Sequence, residues 1–290
     1  VATTTEVVEV AQFGQDDAGF RIWVEAWDDA MIALGCTQVF SGIDTATVTM
    51  PTTANTYAGG RVYTLNDALH ATDPIFIKLR WGRAATSSYP TRAMNLEVTA
   101  GEEHDGSGNV IGNPLSAYVT TGVATDVGEL IATRTDAGIS VWENVPKSAQ
   151  TSAGFSFERV CLSGVPTADG AALVWFGADV DGNSVETGDR RLSSANYVLG
   201  VNYGKSVGGF SVPICAGEAT DPSFDNKAPL FTIATFGGYD PLTNIVGASK
   251  AYLAGQRFTG VVNGVSGRYR TFAGNGPNFL TNSLMAVKVE

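Results

Sequence analysis

Residues 20–34 read FRIWVEAWDDAMIAL and residues 75–82 read IFIKLRWG, and the different periods of these two stretches decide the fold. In the first, Phe20, Trp23, Val24, Trp27, Met31 and Leu34 recur at three-and-four spacing. A helix over residues 20–34 gathers them on one stripe and leaves Arg21, Glu25, Asp28 and Asp29 mostly off it. Asp16 and Asp17 stand where carboxylates can accept from the first free amides, and Gly35 stands where a left-handed residue stops a helix. The polar face is not basic, as a membrane-surface helix would want. In the second stretch Ile75, Ile77, Leu79 and Trp81 alternate with Phe76, Lys78 and Arg80, the period of a half-buried strand. Trp23 and Trp27, one turn apart, are therefore expected to be buried against strands that include those four residues.

Working outward, Val48 and Met50 are expected to close a short strand before the Pro51 turn, and residues 60–63 to resume extended structure. A short second helix is expected over residues 65–71, stopped by Asp73 and Pro74, because the residue before a proline is pushed out of the helical region. Residues 95–100 (NLEVTA) and 115–121 (LSAYVTT) read as neighbouring strands. Between them GEEHDGSGNVIGN, residues 101–113, reads as a long, flexible surface turn. From about residue 123 the texture is wholly β. ELIATR and GISVWE flank TDAG, FSFERVCL and AALVWFG flank SGVPTADG, and NYVLGV, LFTIATF, RFTGVV and LMAVKVE follow. The fold class expected is mainly β with a small α+β N-terminal region: antiparallel sheets or a β-sandwich, with one amphipathic helix packed on a sheet. Residues 1–122 would form the α+β lobe and 123–290 the β-rich lobe, although no proline-rich or charged linker marks the boundary.

The 290 residues suffice for one large domain or two modest ones. Abundant glycine and sparse charge agree with many short strands joined by tight turns. A net charge of −11 without any cluster of Lys and Arg argues against nucleic acid as a partner. It suits a soluble surface or a patch that docks on a basic partner. Cys36, Cys161 and Cys215 are an odd number at wide spacing, read as free buried thiols of a protein made in a reducing cytoplasm. VATTTEVVEV, residues 1–10, has neither the basic start nor the apolar core of a secretory signal, and no apolar run is long enough to span a bilayer. No membrane partner is expected.

Chemistry is harder to find. His70 and His104 are the only histidines, one in NDALHA and one in EEHDG, with no HExxH grouping. Glu102, Glu103, His104 and Asp105 could form a metal site, but adjacent ligands in a loop are more often a solvated turn. DVDGNSVETGD, residues 179–189, resembles a calcium loop through Asp179, Asp181 and Asn183, yet its Gly182 is fourth rather than sixth and Arg190 holds the twelfth position where a glutamate belongs. No phosphate-binding glycine loop and no GxSxG elbow is present. A glycosidase pair of carboxylates cannot be recognised from spacing. Trp81, Trp142, Trp175, Tyr239 and Tyr252 could line a sugar site, though aromatics in strands are more often core. No catalytic, cofactor-binding or metal-ligating residues are assigned, and no cofactor is expected.

The N-terminal block resembles a group of tailed-bacteriophage virion proteins encoded among head and tail genes. The similar pieces are AWDDAMIALGC, the run ATVTMPTTANTYAGGRVYTLNDALHATDPIFIKLRWG and the turn VTAGEEHDGSGN, within residues 20–112. Fainter likeness lies in GFSFERVCLSGVPTADGAALV and FTGVVNGVSGRYRTF. The resemblance carries no active-site residues. It implies a non-enzymatic structural component of a virion (tail, collar or head decoration), assembled in the host bacterial cytoplasm, with other virion proteins and copies of itself as partners. Two alternatives are a host-surface or glycan-binding module on the same particle and a virion enzyme that cleaves polysaccharide or peptidoglycan.

Overall fold

The computed structural model describes residues 4–10, 16–83, 94–112, 114–121, 128–144, 152–176, 198–203, 207–213, 240–248, 257–262, 265–273 and 284–290. The boundary expected near residue 122, the strand expected at 230–236 and the DVDGNSVETGD segment lie outside the described residues.

The elements run β1 (Thr4–Val10), α1 (Asp17–Ala33), β2 (Thr37–Ser41), β3 (Thr56–Thr64), β4 (Phe76–Arg83), β5 (Met94–Gly101), β6 (Glu103–His104), β7 (Val110–Ile111) and β8 (Leu115–Thr121). They continue with β9 (Gly128–Arg134), β10 (Gly138–Asn144), β11 (Ser152–Leu162), β12 (Val165–Phe176), β13 (Val198–Tyr203), β14 (Val207–Pro213), β15 (Ile245–Ala248), β16 (Arg257–Val262), β17 (Val265–Ala273) and β18 (Leu284–Lys288). The described chain is mainly β, its sheets are antiparallel, and α1 is its single helix. A five-stranded sheet has the order β2-β3-β4-β5-β8 and a seven-stranded sheet the order β1-β9-β10-β11-β12-β13-β14. A four-stranded sheet, β15-β18-β17-β16, and the small hairpin β6-β7 complete the set. Because β1 pairs along its length with β9, the strand before the helix belongs to the sheet built from residues after 128.

The helix starts and stops for the reasons its sequence suggests. Asp16 caps it by accepting from the Gly19 amide, and Gly35 follows it with φ +77°. Asp17 does something else: its carboxylate accepts the Met50 amide and so fixes the returning chain. Phe20, Trp23, Val24, Trp27, Ala30 and Met31 are buried in one core with Tyr63, Ile77, Leu79, Trp81, Leu96 and Val98 of the five-stranded sheet. The same core takes Leu130, Ala132, Ile139, Val141, Phe155, Phe157 and Leu173 from the seven-stranded sheet. α1 is thus held by two sheets. Tyr63 donates to Asp28 on one side, and Trp27 stacks on Phe155, centroids 6.2 Å apart, on the other.

Three local expectations are corrected. Residues 65–71 form no helix: 65–67 are irregular and 68–72 form a turn. Asn66 adopts φ +51°, and the Leu65 and Asn66 carbonyls accept from Arg134, so tertiary bonds outbid a helix too short to nucleate well. Val48 and Met50 are buried but not in a strand. Asp44 folds residues 44–48 into a turn by accepting from the Ala46 amide, the Thr47 hydroxyl and, through its carbonyl, the Val48 amide. In SGVPTADG only Ser163 and Gly164, at φ +52° and +79°, form the turn, and Val165–Gly170 already belong to β12.

Candidate functional site

The histidine turn is a packed structure. β6 and β7 pair, and the His104 ring lies between Phe40 and Phe76, at centroid distances of 6.0 and 5.9 Å. Its Nε2 accepts from the Gly108 amide at 3.2 Å. Asp105 accepts from the Ser107 and Asn109 amides and from the Asn109 side chain, bonds that favour the charged form and hold its carboxyl down at about 2. Gly108 permits the latch, since at φ +88° it lies so close to Phe40 that a Cβ would sit 2.4 Å from the ring. Nε2 of His104 and both carboxylate oxygens of Asp105 are thus engaged inside the hairpin. Among the described residues no three His, Cys, Asp or Glu side chains converge on one point. His70 sits half-buried in the 68–72 turn, outside that hairpin.

Beside the hairpin, the outward face of the five-stranded sheet carries a polar cluster. Arg80 pairs with Glu97 at 2.7 Å and lies 3.9 Å over the Tyr57 ring, and Asn95 donates to the Tyr57 hydroxyl. Burial raises the Glu97 carboxyl and lowers the Lys78 ammonium. The alternation in IFIKLRWG identified this face, but the cross-strand partners Glu97 and Thr99 come from a segment with its own independent phase. Cys36 and Cys161 are buried free thiols, raised by burial to about 11 and about 12 and so protonated at neutral pH. Trp81 and Trp142 are core residues. Cys215, Tyr239, Tyr252 and the Trp175 side chain lie outside the described residues.

Four charged residues of the seven-stranded sheet, none of them singled out by sequence, form the most developed electrostatic feature. On the face toward α1, Glu143 receives both tryptophan indole N–H groups on Oε1, that of Trp27 at 2.7 Å and that of Trp23 in a second short bond. Full burial pushes its carboxyl up to about 7, against the lowering effect of those two donors. Arg134 donates to the carbonyls of Leu34, Leu65 and Asn66, and so caps the helix end from β9. Arg159 pairs with Asp67 and Asp73 and donates to the Asp73 carbonyl. On the opposite face Glu158 accepts from the amide and hydroxyl of Thr243 and from the Asn244 amide. Burial raises it, and the Asn244 and Thr243 donors, followed by Lys288, oppose that rise. A cleft beside Arg159, bounded by Asp73, Ile75, Glu102, Leu115 and Phe157, leaves about 20 Å³, on the order of one water molecule.

ELIATR, GISVWE and FSFERV place Arg134, Glu143, Glu158 and Arg159 on largely apolar strands, which is costly unless a partner is fixed opposite each charge. Neither a protein-family model nor a curated protein matches this chain.

Proposed function

We propose that the chain is a non-enzymatic structural component of a tailed-bacteriophage virion, a tail, collar or head-decoration protein that packs against copies of itself and other virion proteins. The observation that carries the reading is the use of the buried charges. Glu143, Arg134 and Arg159 bind α1 and the 65–73 segment to one face of the seven-stranded sheet, and Glu158 binds the approach to β15 on the other face. Each charge joins one layer to the next, as suits a part that must keep its shape while its surfaces are packed. The resemblance of residues 20–112 to virion proteins supplies the context.

The test is quantitative mass spectrometry of purified particles. The protein is expected at a fixed multiple of the particle's symmetry, because closed assemblies repeat their subunits. Its absence from mature particles, with presence only in the infected cell, overturns the reading.

A further inference from the structure

Two surfaces of this chain are complementary in charge and similar in length, and each carries exposed apolar side chain. The solvent stripe of α1 runs Ile22, Glu25, Asp29, Ile32, at the spacing that aligns side chains on one helix face. Ile22 is 36% exposed and Ile32 47%, so two large apolar side chains bracket two exposed carboxylates. The helix's other acids are engaged, Asp16 with Gly19, Asp17 with Met50 and Asp28 with Arg61 and Tyr63. Burial, and then Asp28 beside it, raises the Asp29 carboxyl, the situation of a carboxylate that gains from an approaching cation.

The second surface is the outward face of β16 and β17. Arg257 opposes Arg270, Thr259 opposes Arg268 and Val261 opposes Ser266, so these six share one face. Arg257 and Arg268 are the most open Lys or Arg among the described residues, the others being half-buried or buried. Arg268 pairs with Glu290 at 2.7 Å, an exposed contact that a competing carboxylate can replace at little cost. Val261, on the same face, is 64% exposed. From Ile22 to Ile32 is about 15 Å along a helix, and from Arg257 to Val261 about 13 Å along a strand.

We infer that copies of this chain associate head to tail, the α1 stripe of one copy seated on the β16–β17 face of the next. Glu25 and Asp29 meet Arg257 and Arg268, and one apolar end of the stripe covers Val261. The two surfaces differ, so the contact is heterologous and either closes into a ring or propagates. The inference names the self-contact of the proposed virion role and rests on that reading for its biological setting, but its test uses the purified chain alone.

Sedimentation of the native protein over a concentration series should show reversible association that weakens as salt screens the contact. Glu25→Arg/Asp29→Arg and Arg257→Glu/Arg268→Glu should each associate at least about tenfold more weakly, since like charges then face each other. Mixing the two variants should restore assembly, because each then offers the other a complementary pair of surfaces. Glu25→Gln/Asp29→Asn, which changes charge but hardly shape, should weaken association with melting unchanged, and serves if a reversed variant misfolds. A native chain that stays monomeric, a variant that associates like the native chain, or a mixture that stays apart overturns the inference. None of these results bears on whether the protein is found in particles.

Discussion

Glu143 can hold both tryptophans in either charge state, because the two indoles bind the same oxygen and leave Oε2 to carry a proton. The cost of ionising it in the core remains, and its sign can be worked out. The ordinary value of 4.5 is raised to about 7 in the folded chain, so between those values the native state binds more protons than the unfolded one. Stability from this group is fully present below 4.5 and is lost as the pH rises toward 7, a difference of about 3 kcal/mol for a shift of this size. Glu158 and Glu97 are raised by burial and act in the same direction. Denaturant midpoints should therefore be higher at about pH 5 than at about pH 8. Glu143→Gln keeps an acceptor for the indoles and removes the proton, so it should flatten that dependence and stabilise mainly on the alkaline side. An unchanged pH slope in Glu143→Gln would show that another group titrates. Glu143→Leu, by contrast, should destabilise at every pH, since two buried N–H groups lose their acceptor at about 1–3 kcal/mol each.

At the scale of elements, α1 shows what the sequence made legible and what it hid. The period of Phe20 to Leu34 located the helix and its buried stripe, because burial against any apolar surface imposes that period, and of the two aspartates before it Asp16 is the cap. The alternation of residues 75–81 located β4 for the same reason. The Glu143 acceptor was illegible, because it lies 120 residues from Trp23 and its strand is defined by a different local pattern. Residues 65–71 favour a helix locally and do not form one, because Arg134 and Arg159 hold the backbone at Leu65, Asn66 and Asp73 from another sheet. α1 has no basic residue in its last turn, and Arg134 provides that charge from β9 across the core. Trp27→Ala removes a stacked ring and a hydrogen bond together and should cost about 3–5 kcal/mol, seen as a lower midpoint and a poor yield of folded protein. Arg134→Lys should also destabilise, by about 1–3 kcal/mol, because one ammonium cannot reach three carbonyls as a planar guanidinium does. A Trp27→Ala chain that melts normally but fails to assemble would move Trp27 itself from the core to a docking role.

For the whole molecule, β11 is the point where three layers meet. Successive residues on a strand face opposite ways, and Glu158 and Arg159 use this to reach different layers: Glu158 holds Thr243 and Asn244 ahead of β15, while Arg159 holds Asp67 and Asp73 below the five-stranded sheet. Removing either partner leaves buried groups uncompensated, at about 3–5 kcal/mol for a charge pair, but the layer released should differ. Glu158→Ala exposes two amides and a hydroxyl near Asn244, where Thr135 also donates to the Asn244 side chain and Lys288 donates its amide to the Asn244 carbonyl. Amide hydrogen exchange should therefore quicken across 240–248 and 284–290 while the five-stranded sheet keeps its protection. Arg159→Ala leaves Asp67 and Asp73 as unpaired neighbours and should quicken exchange across 65–76, with β15 and β18 unchanged. If both substitutions quicken the same segments, the layers unfold as one cooperative unit. The adjacent charges of β11 would then be two parts of a single lock rather than two separate ties.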